Sequence, residues 1–202
     1  MGNKIVNVSA DAVKKLRDQT GLGMMDCKNA LVESNNDMSK AVVLLRVNGL
    51  KNLEKRDDKE TLEGVISNYI HPGDNLGVMV EVNCETDFVA KTEDFKEFAK
   101  NIAMHIAASD PMTVDESELD PDFIANETEI FTTQAIELNK SEKITEIIIK
   151  GKLKKRLAEV CLLGQPFVKM PDKKVRDYLT DMIAKLGEKI TIKRFVRFKL
   201  GE

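Results

Sequence analysis

The chain has 202 residues with 31 Lys+Arg against 34 Asp+Glu, a formal net charge of −3, and 42% hydrophobic, 32% charged and 5% aromatic residues. This composition excludes a disordered or fibrous chain, and no run approaches the roughly 18 apolar residues of a membrane span. The near-neutral total conceals three zones, with 10 basic against 6 acidic residues over 1–56, 4 against 20 over 57–138 and 17 against 8 over 139–202. So acidic a middle argues against a protein that wraps a nucleic-acid duplex. The N-terminus lacks the apolar core of a signal peptide, and Cys27, Cys84 and Cys161 match neither a disulfide framework nor a zinc motif. A soluble, unsecreted, cytoplasmic chain with small apolar cysteines is expected.

Ser9 caps a first predicted helix with Val13 and Leu16 on one face, ended by Gly21 and Gly23. A second spans Met24 to Ser34 with Cys27, Ala30 and Leu31 inward; after the turn Asn35-Asn36-Asp37, a third runs from Met38 to about Val47, stopped by Asn48-Gly49. Three short helices make a small docking module. The charged stretch Lys51–Glu60 reads as a solvated linker or an exposed helix end.

From Leu62 the period changes to two: Val65, Ser67 and Tyr69 oppose Ile66, Asn68 and Ile70, and beyond the turn at 71–75, Val78, Val80 and Val82 alternate with Met79, Glu81 and Asn83. This predicts an antiparallel hairpin with one buried face. Thr92 caps a helix carrying Phe95, Phe98, Ile102 and Ile106, broken at Asp110-Pro111. Helices follow from Pro121 to Asn139 and from Ser141 towards Arg156, the latter with Ile144, Ile147, Ile148 and Leu157 inward. Residues 162–168 read as irregular or edge strand, Asp172–Leu186 as the last helix, and Ile190 to Leu200 as a long closing strand in which Ile190, Ile192, Val196, Phe198 and Leu200 alternate with Thr191, Lys193, Phe195, Arg197 and Lys199. The class is α+β, a three-helix N-terminal domain followed by a small antiparallel sheet packed against helices.

Little in the chain carries covalent chemistry. His71 and His105 are the only histidines and belong to different elements; His105 reads as a helix-surface or rim residue. No glycine-rich phosphate cradle occurs, and the pairs Asp57-Asp58 and Asp120/Asp122 sit in hydrophilic stretches, so neither enzymatic activity nor a cofactor is expected. The run Lys150–Arg156, with five basic residues in seven, leaves RNA binding as a second hypothesis, although no aromatic residues interleave it. The segment Asn83-Cys84-Glu85-Thr86-Asp87-Phe88-Val89-Ala90 sits between strand and helix, and its Phe88 either packs inward or projects as an aromatic anchor.

That segment resembles the signature of the elongation factor Ts family, and Thr20-Gly21-Leu22-Gly23-Met24-Met25-Asp26-Cys27-Lys28 resembles the family's N-terminal signature. The resemblance continues through residues 150–155, 164–168 and 185–188. It implies a ubiquitin-associated-like domain at 1–54, a linker at 55–60 and an α+β core domain at 61–202. It further implies nucleotide exchange on the GTPase elongation factor Tu, with Asp87 and Phe88, flanked by Thr86 and Val89, at the working loop. Phe88 would wedge between partner helices and shift the elements that hold Mg²⁺ and the phosphates.

Lys14, Arg17, Met24, Met25 and Lys28 are the implied contacts of the N-terminal module, one of the two methionines being expected in the core because a helix cannot expose both neighbours equally. Leu186 and Gly187 are implied contacts that read equally well as a helix C-cap. Short members dimerise through their sheets; no cysteine follows Cys161, so a homodimer here would be non-covalent. Neither direct nucleic-acid binding nor a membrane enters this picture.

Overall fold

The computed structural model describes residues 8–54, 58–138 and 141–202. Helix α1 (Ala10–Thr20) starts at Ser9, whose hydroxyl accepts from the Ala12 amide, and ends at Gly21, whose φ of 71° supplies the left-handed turn. Helix α2 (Met24–Glu33) and helix α3 (Met38–Glu54) follow, joined by a turn in which Asn35 and Asn36 take positive φ and Asp37 accepts from the Lys40 amide. Val13, Leu16, Cys27, Ala30, Leu31, Ala41 and Leu45 close into one buried cluster. Helix α3 runs through Asn48-Gly49 to Glu54, so the expected stop there is corrected. A glycine costs only about 1 kcal/mol within a helix and does not oblige it to end. Lys51–Glu54 are thus the end of a helix; residues 55–57 of the expected linker lie outside the described residues, and 58–60 are exposed.

The hairpin of β1 (Glu63–Ile70) and β2 (Leu76–Cys84) is closed by a bond from the His71 amide to the Leu76 carbonyl. Val78, Val80 and Val82 are fully buried, as their alternation predicts. A one-turn helix α4 (Asp87–Ala90) precedes α5 (Glu93–Ser109), on which Phe95, Phe98, Ile102 and Ile106 have no exposed surface. Helices α6 (Pro121–Ile136) and α7 (Glu142–Val160) pack side by side; Asn139, the expected end of α6, lies outside the described residues. Ile144 (48%) and Ile147 (71%) are exposed rather than inward. An amphipathic helix buries the stripe that faces its neighbours and leaves the opposite one open.

The short strands β3 (Pro166–Phe167) and β4 (Met170–Lys174) pair antiparallel, and α8 (Val175–Leu186) begins at Val175 instead of Asp172, whose segment is taken by β4. Strand β5 (Ile190–Lys199) completes a three-stranded sheet in the order β1-β2-β5. It runs antiparallel to β2: the Leu200 amide reaches the Asn75 carbonyl at one end, and Arg194 pairs with Glu81 further along. Ile190 and Ile192 are buried, whereas Val196, Phe198 and Leu200 are exposed. Arg194 shares a side with Glu81, so Val196 and Phe198 join Met79 on the open face of the sheet, while Phe195 and Arg197 take the covered one.

The chain divides into two compact units. One comprises the chain up to Gly64 together with Asn83–Phe95 and Leu179–Thr191; the other comprises Val65–Val82, Lys96–Tyr178 and Ile192–Glu202.

Candidate functional site

Strand β2 ends at Cys84, and the chain turns through Glu85 and Thr86 into α4. Thr86 is extended (φ −129°, ψ 153°) and caps α4 by accepting the Val89 amide on its hydroxyl at 3.4 Å. At the far end, Thr92 donates its hydroxyl to the Val89 carbonyl (2.8 Å) and accepts the Phe95 amide (3.3 Å), so a second cap follows the first within six residues. Ala90 is buried beneath this turn, and Phe88, two residues earlier and so on the opposite side of the helix, is 79% exposed. Of the two placements open to this ring, it takes the projecting one. Asp87 pairs with Lys91 one turn on; the hydrogen bond from Lys91 holds the Asp87 carboxyl below its ordinary range.

A second loop holds this turn. The Glu188 carboxylate accepts both the hydroxyl of Thr86 (2.6 Å) and its amide (3.0 Å), and the Lys189 amide donates to Glu85 at 2.6 Å. The buried Cys84 thiol donates to the Thr86 carbonyl at 3.1 Å. Burial, with the Glu188 carboxylate second, pushes that thiol up to about 11, so it remains a donor at neutral pH. Glu85 and Glu188 stand in stretches that carry the resemblance, but the Thr86–Glu188 and Lys189–Glu85 bonds span 102 and 104 residues and no local pattern announces them. Immediately before Glu188 stand Leu186, half-buried, and Gly187, exposed at φ 73° with its amide on the Ile183 carbonyl. Gly187 is thus a left-handed helix cap whose face is also open.

Lys14, Arg17 and Lys28 are exposed, as are both Met24 (49%) and Met25 (63%). The expectation that one methionine enters the core is corrected: both stand in the first turn of α2, while the buried stripe begins at Cys27. The turn between α1 and α2 lies against α8. A Cβ at Gly21 would sit 3.4–3.6 Å from the Cε, Cδ and Cγ of Lys185, whose amine pairs with Asp94 at 2.7 Å. All eleven candidate contact residues, drawn from three separate stretches of sequence, therefore fall in the first compact unit.

His105 is fully buried, which corrects its reading as a surface or rim residue. The Val168 amide donates to its Nδ1 (3.2 Å), leaving the proton on Nε2 to donate to Gln165 (3.0 Å). Gln165 is oriented by donating its own amide to the carbonyls of Glu159 (2.7 Å) and Ser109 (3.3 Å). Burial pulls the imidazole below its ordinary pKa, so a neutral histidine is built into this core. Of the basic run on α7, Lys152 is engaged by Gln134 and lies over the Phe131 ring, and Arg156 is engaged by Glu127 and lies over Phe123. Lys150, Lys154 and Lys155 remain exposed. Among the described residues, no group of three or more His, Cys, Asp or Glu is arranged to hold a metal ion, and no helix is long and apolar enough to cross a membrane.

Residues 3–202 match the family model described as Elongation factor TS. The chain is 50% identical over 195 residues to Elongation factor Ts of Desulfosudis oleivorans, covering 96% of this chain and 98% of that protein. Its likeness to Elongation factor Ts of Carboxydothermus hydrogenoformans is 51% over 195 residues, covering 96% and 90%, and to that of Moorella thermoacetica 51% over 195 residues, covering 96% of each.

Proposed function

The chain belongs to the elongation factor Ts family, and from that premise we propose that it is a guanine-nucleotide exchange factor that binds elongation factor Tu in its GDP form, drives GDP out and leaves the site free for GTP. The observation that carries the reading is Phe88, an aromatic ring 79% exposed on a turn capped at both ends. An exposed ring on a mobile loop would lose conformational entropy on docking, whereas this one is preorganised. It enters between partner helices and shifts the elements that hold Mg²⁺ and the phosphates, with Thr86, Asp87 and Val89 beside it.

Nothing covalent is made or broken, and the work is done by differential binding. An exchanger that prefers the nucleotide-free GTPase weakens GDP binding by the same factor by which GDP weakens the exchanger. Residues 1–54 act as a docking module of the ubiquitin-associated kind through Lys14, Arg17, Met24, Met25 and Lys28; 55–60 connect it to a core domain at 61–202 that presents the ring, with Leu186 and Gly187 against the partner backbone. The setting is the cytoplasm.

The sheet supports a second association. Ile66, Ile70, Met79, Val196 and Phe198 are exposed together on the β1-β2-β5 sheet, around the Glu81–Arg194 pair. This open apolar face is the surface through which two copies pair without a covalent bond, the three cysteines being buried and free.

Phe88→Ala tests the reading. A phenylalanine side chain offers about 150–250 Å², and with 79% of it exposed its insertion is worth about 2–4 kcal/mol after allowance for the alanine that replaces it. Catalysed release of labelled GDP is expected to slow at least about tenfold, with the melting temperature nearly unchanged because the ring touches little in the free chain. Unchanged catalysed release would remove the wedge.

A further inference from the structure

A helix of four residues cannot sustain itself: the first turn fixes several dihedrals for one hydrogen bond, and isolated short helices do not persist in water. Helix α4 has that length, yet it must hold Phe88 at a fixed angle if the ring is to act as a wedge. The hold comes from outside the segment. Thr86 is the hinge of the arrangement, because its hydroxyl is engaged twice: it donates to Glu188 at 2.6 Å and accepts from Val89 at 3.4 Å. A hydroxyl that gives its proton to a carboxylate turns its lone pairs towards the helix amides, so the same contact orients the cap and strengthens it. The second oxygen of Glu188 takes the Thr86 amide at 3.0 Å, and the Lys189 amide closes on Glu85 at 2.6 Å. Both loops are thereby cross-linked within a few residues of the exposed ring.

We propose that Glu188 is the positioning residue of the Phe88 turn, its carboxylate fixing the Thr86 cap from which the ring projects and tying that turn to the Leu186-Gly187 corner. The inference rests on the reading of Phe88 as the working ring and adds the group that presents it. Glu188 does not touch the partner in this role. It also places two candidate contact surfaces, Asp87-Phe88 and Leu186-Gly187, in one frame, so that both meet the GTPase in a single registry. Lys185 extends the frame: its alkyl chain covers Gly21 and its amine reaches Asp94, so the segment 185–189 joins the N-terminal module to the turn.

The absence of tryptophan from the sequence gives a clean probe. Phe88→Trp introduces a single indole at the ring position, and its time-resolved anisotropy reports the mobility of the turn without any partner. Glu188→Ala on that background is expected to raise the amplitude of fast local depolarisation about twofold or more, and Glu188→Gln, which keeps an acceptor without the charge, to raise it less. On the otherwise native chain, Glu188→Ala is expected to slow catalysed GDP release about five- to tenfold, and in the Phe88→Ala background to change it less than twofold, since no ring remains to be positioned. Anisotropy unchanged in both Glu188 variants overturns the assignment, as does an equal effect of Glu188→Ala with and without Phe88. Raised mobility with GDP release unaffected by either Glu188→Ala or Phe88→Ala overturns instead the reading of Phe88 on which the assignment rests. If Glu188→Ala does not fold, the comparison rests on Glu188→Gln alone, with the same signs.

Discussion

Acidification from pH 7.5 to 5.5 is expected to weaken the fold through His105. The folded imidazole is neutral, with Nδ1 accepting the Val168 amide and Nε2 donating to Gln165, and burial lowers its pKa. A second proton must go on Nδ1, where it would face the Val168 N–H and break that bond. The unfolded chain takes up this proton near pH 6.5, so below that point the unfolded state binds more protons and stability falls as the pH falls; above it the full contribution is present. The loss is at most about 1.4 kcal/mol for each pH unit between the unfolded and folded pKa values. For a domain of this size that corresponds to about 3–6 °C in melting temperature.

Carboxylates held low by their partners, such as Asp115 beside Arg176, change stability with the same sign but at more acid pH, so the window above pH 5.5 isolates the histidine. The assay is urea unfolding by far-UV circular dichroism at half-unit steps, on the parent and on His105→Asn. The Asn side-chain oxygen can take the place of Nδ1 as acceptor for Val168 but cannot titrate. The parent should lose stability across the window and the variant should be flat, though less stable at pH 7.5. A flat parent, or an equal slope in both, would refute the assignment of a buried neutral histidine.

Two further outcomes follow from packing. Gly164→Ala places a Cβ 2.7 Å from the Cα and carbonyl oxygen of Ala158, both backbone atoms, so it should cost about 1–3 kcal/mol; thermal unfolding within about 1 °C of the parent would contradict that contact. Phe198→Asp on the open sheet face should shift the sedimentation profile from dimer to monomer while leaving the melting temperature of the monomer nearly unchanged; a parent that sediments as a monomer at all concentrations removes the dimer.

What the sequence makes legible is what local periodicity and capping encode. Ser9 and Gly21 bound α1 as read, Val78, Val80 and Val82 point inward as read, and Phe95, Phe98, Ile102 and Ile106 form the buried stripe of α5. The misreadings arise where the environment of an element decides. Helix α3 passes through Asn48-Gly49 because a propensity cost of this size is weak against continued helix. Ile144 and Ile147 fit an inward stripe by spacing, but α7 has its helical neighbour on the side of α6. In β5 the apolar alternation is real, yet the face it makes is buried at Ile190 and Ile192 and open at Val196 and Phe198.

The segment 83–90 was legible as a motif and the exposure of Phe88 was not, since its alternatives differ only in which side of one helical turn faces the core. The Glu188–Thr86 clasp joins residues 102 apart. Its geometry exists only once β2 and the α8–β5 corner are side by side. His105 reads as a surface residue from its sequence context because its partner Gln165 is 60 residues away.

The charge zones keep their meaning at the level of the molecule: a basic N-terminal stretch precedes an acidic middle, and the cations of α7 are partly engaged by α6. Such alternation suits association with a charged protein surface.

The most direct measurement is release of labelled GDP from elongation factor Tu, followed in real time at physiological salt with this chain added in amounts well below the GTPase. The account predicts release accelerated many-fold and in proportion to the chain added, each molecule acting on many partners in turn. Release at the spontaneous rate, with the folded chain present at any concentration, would contradict it.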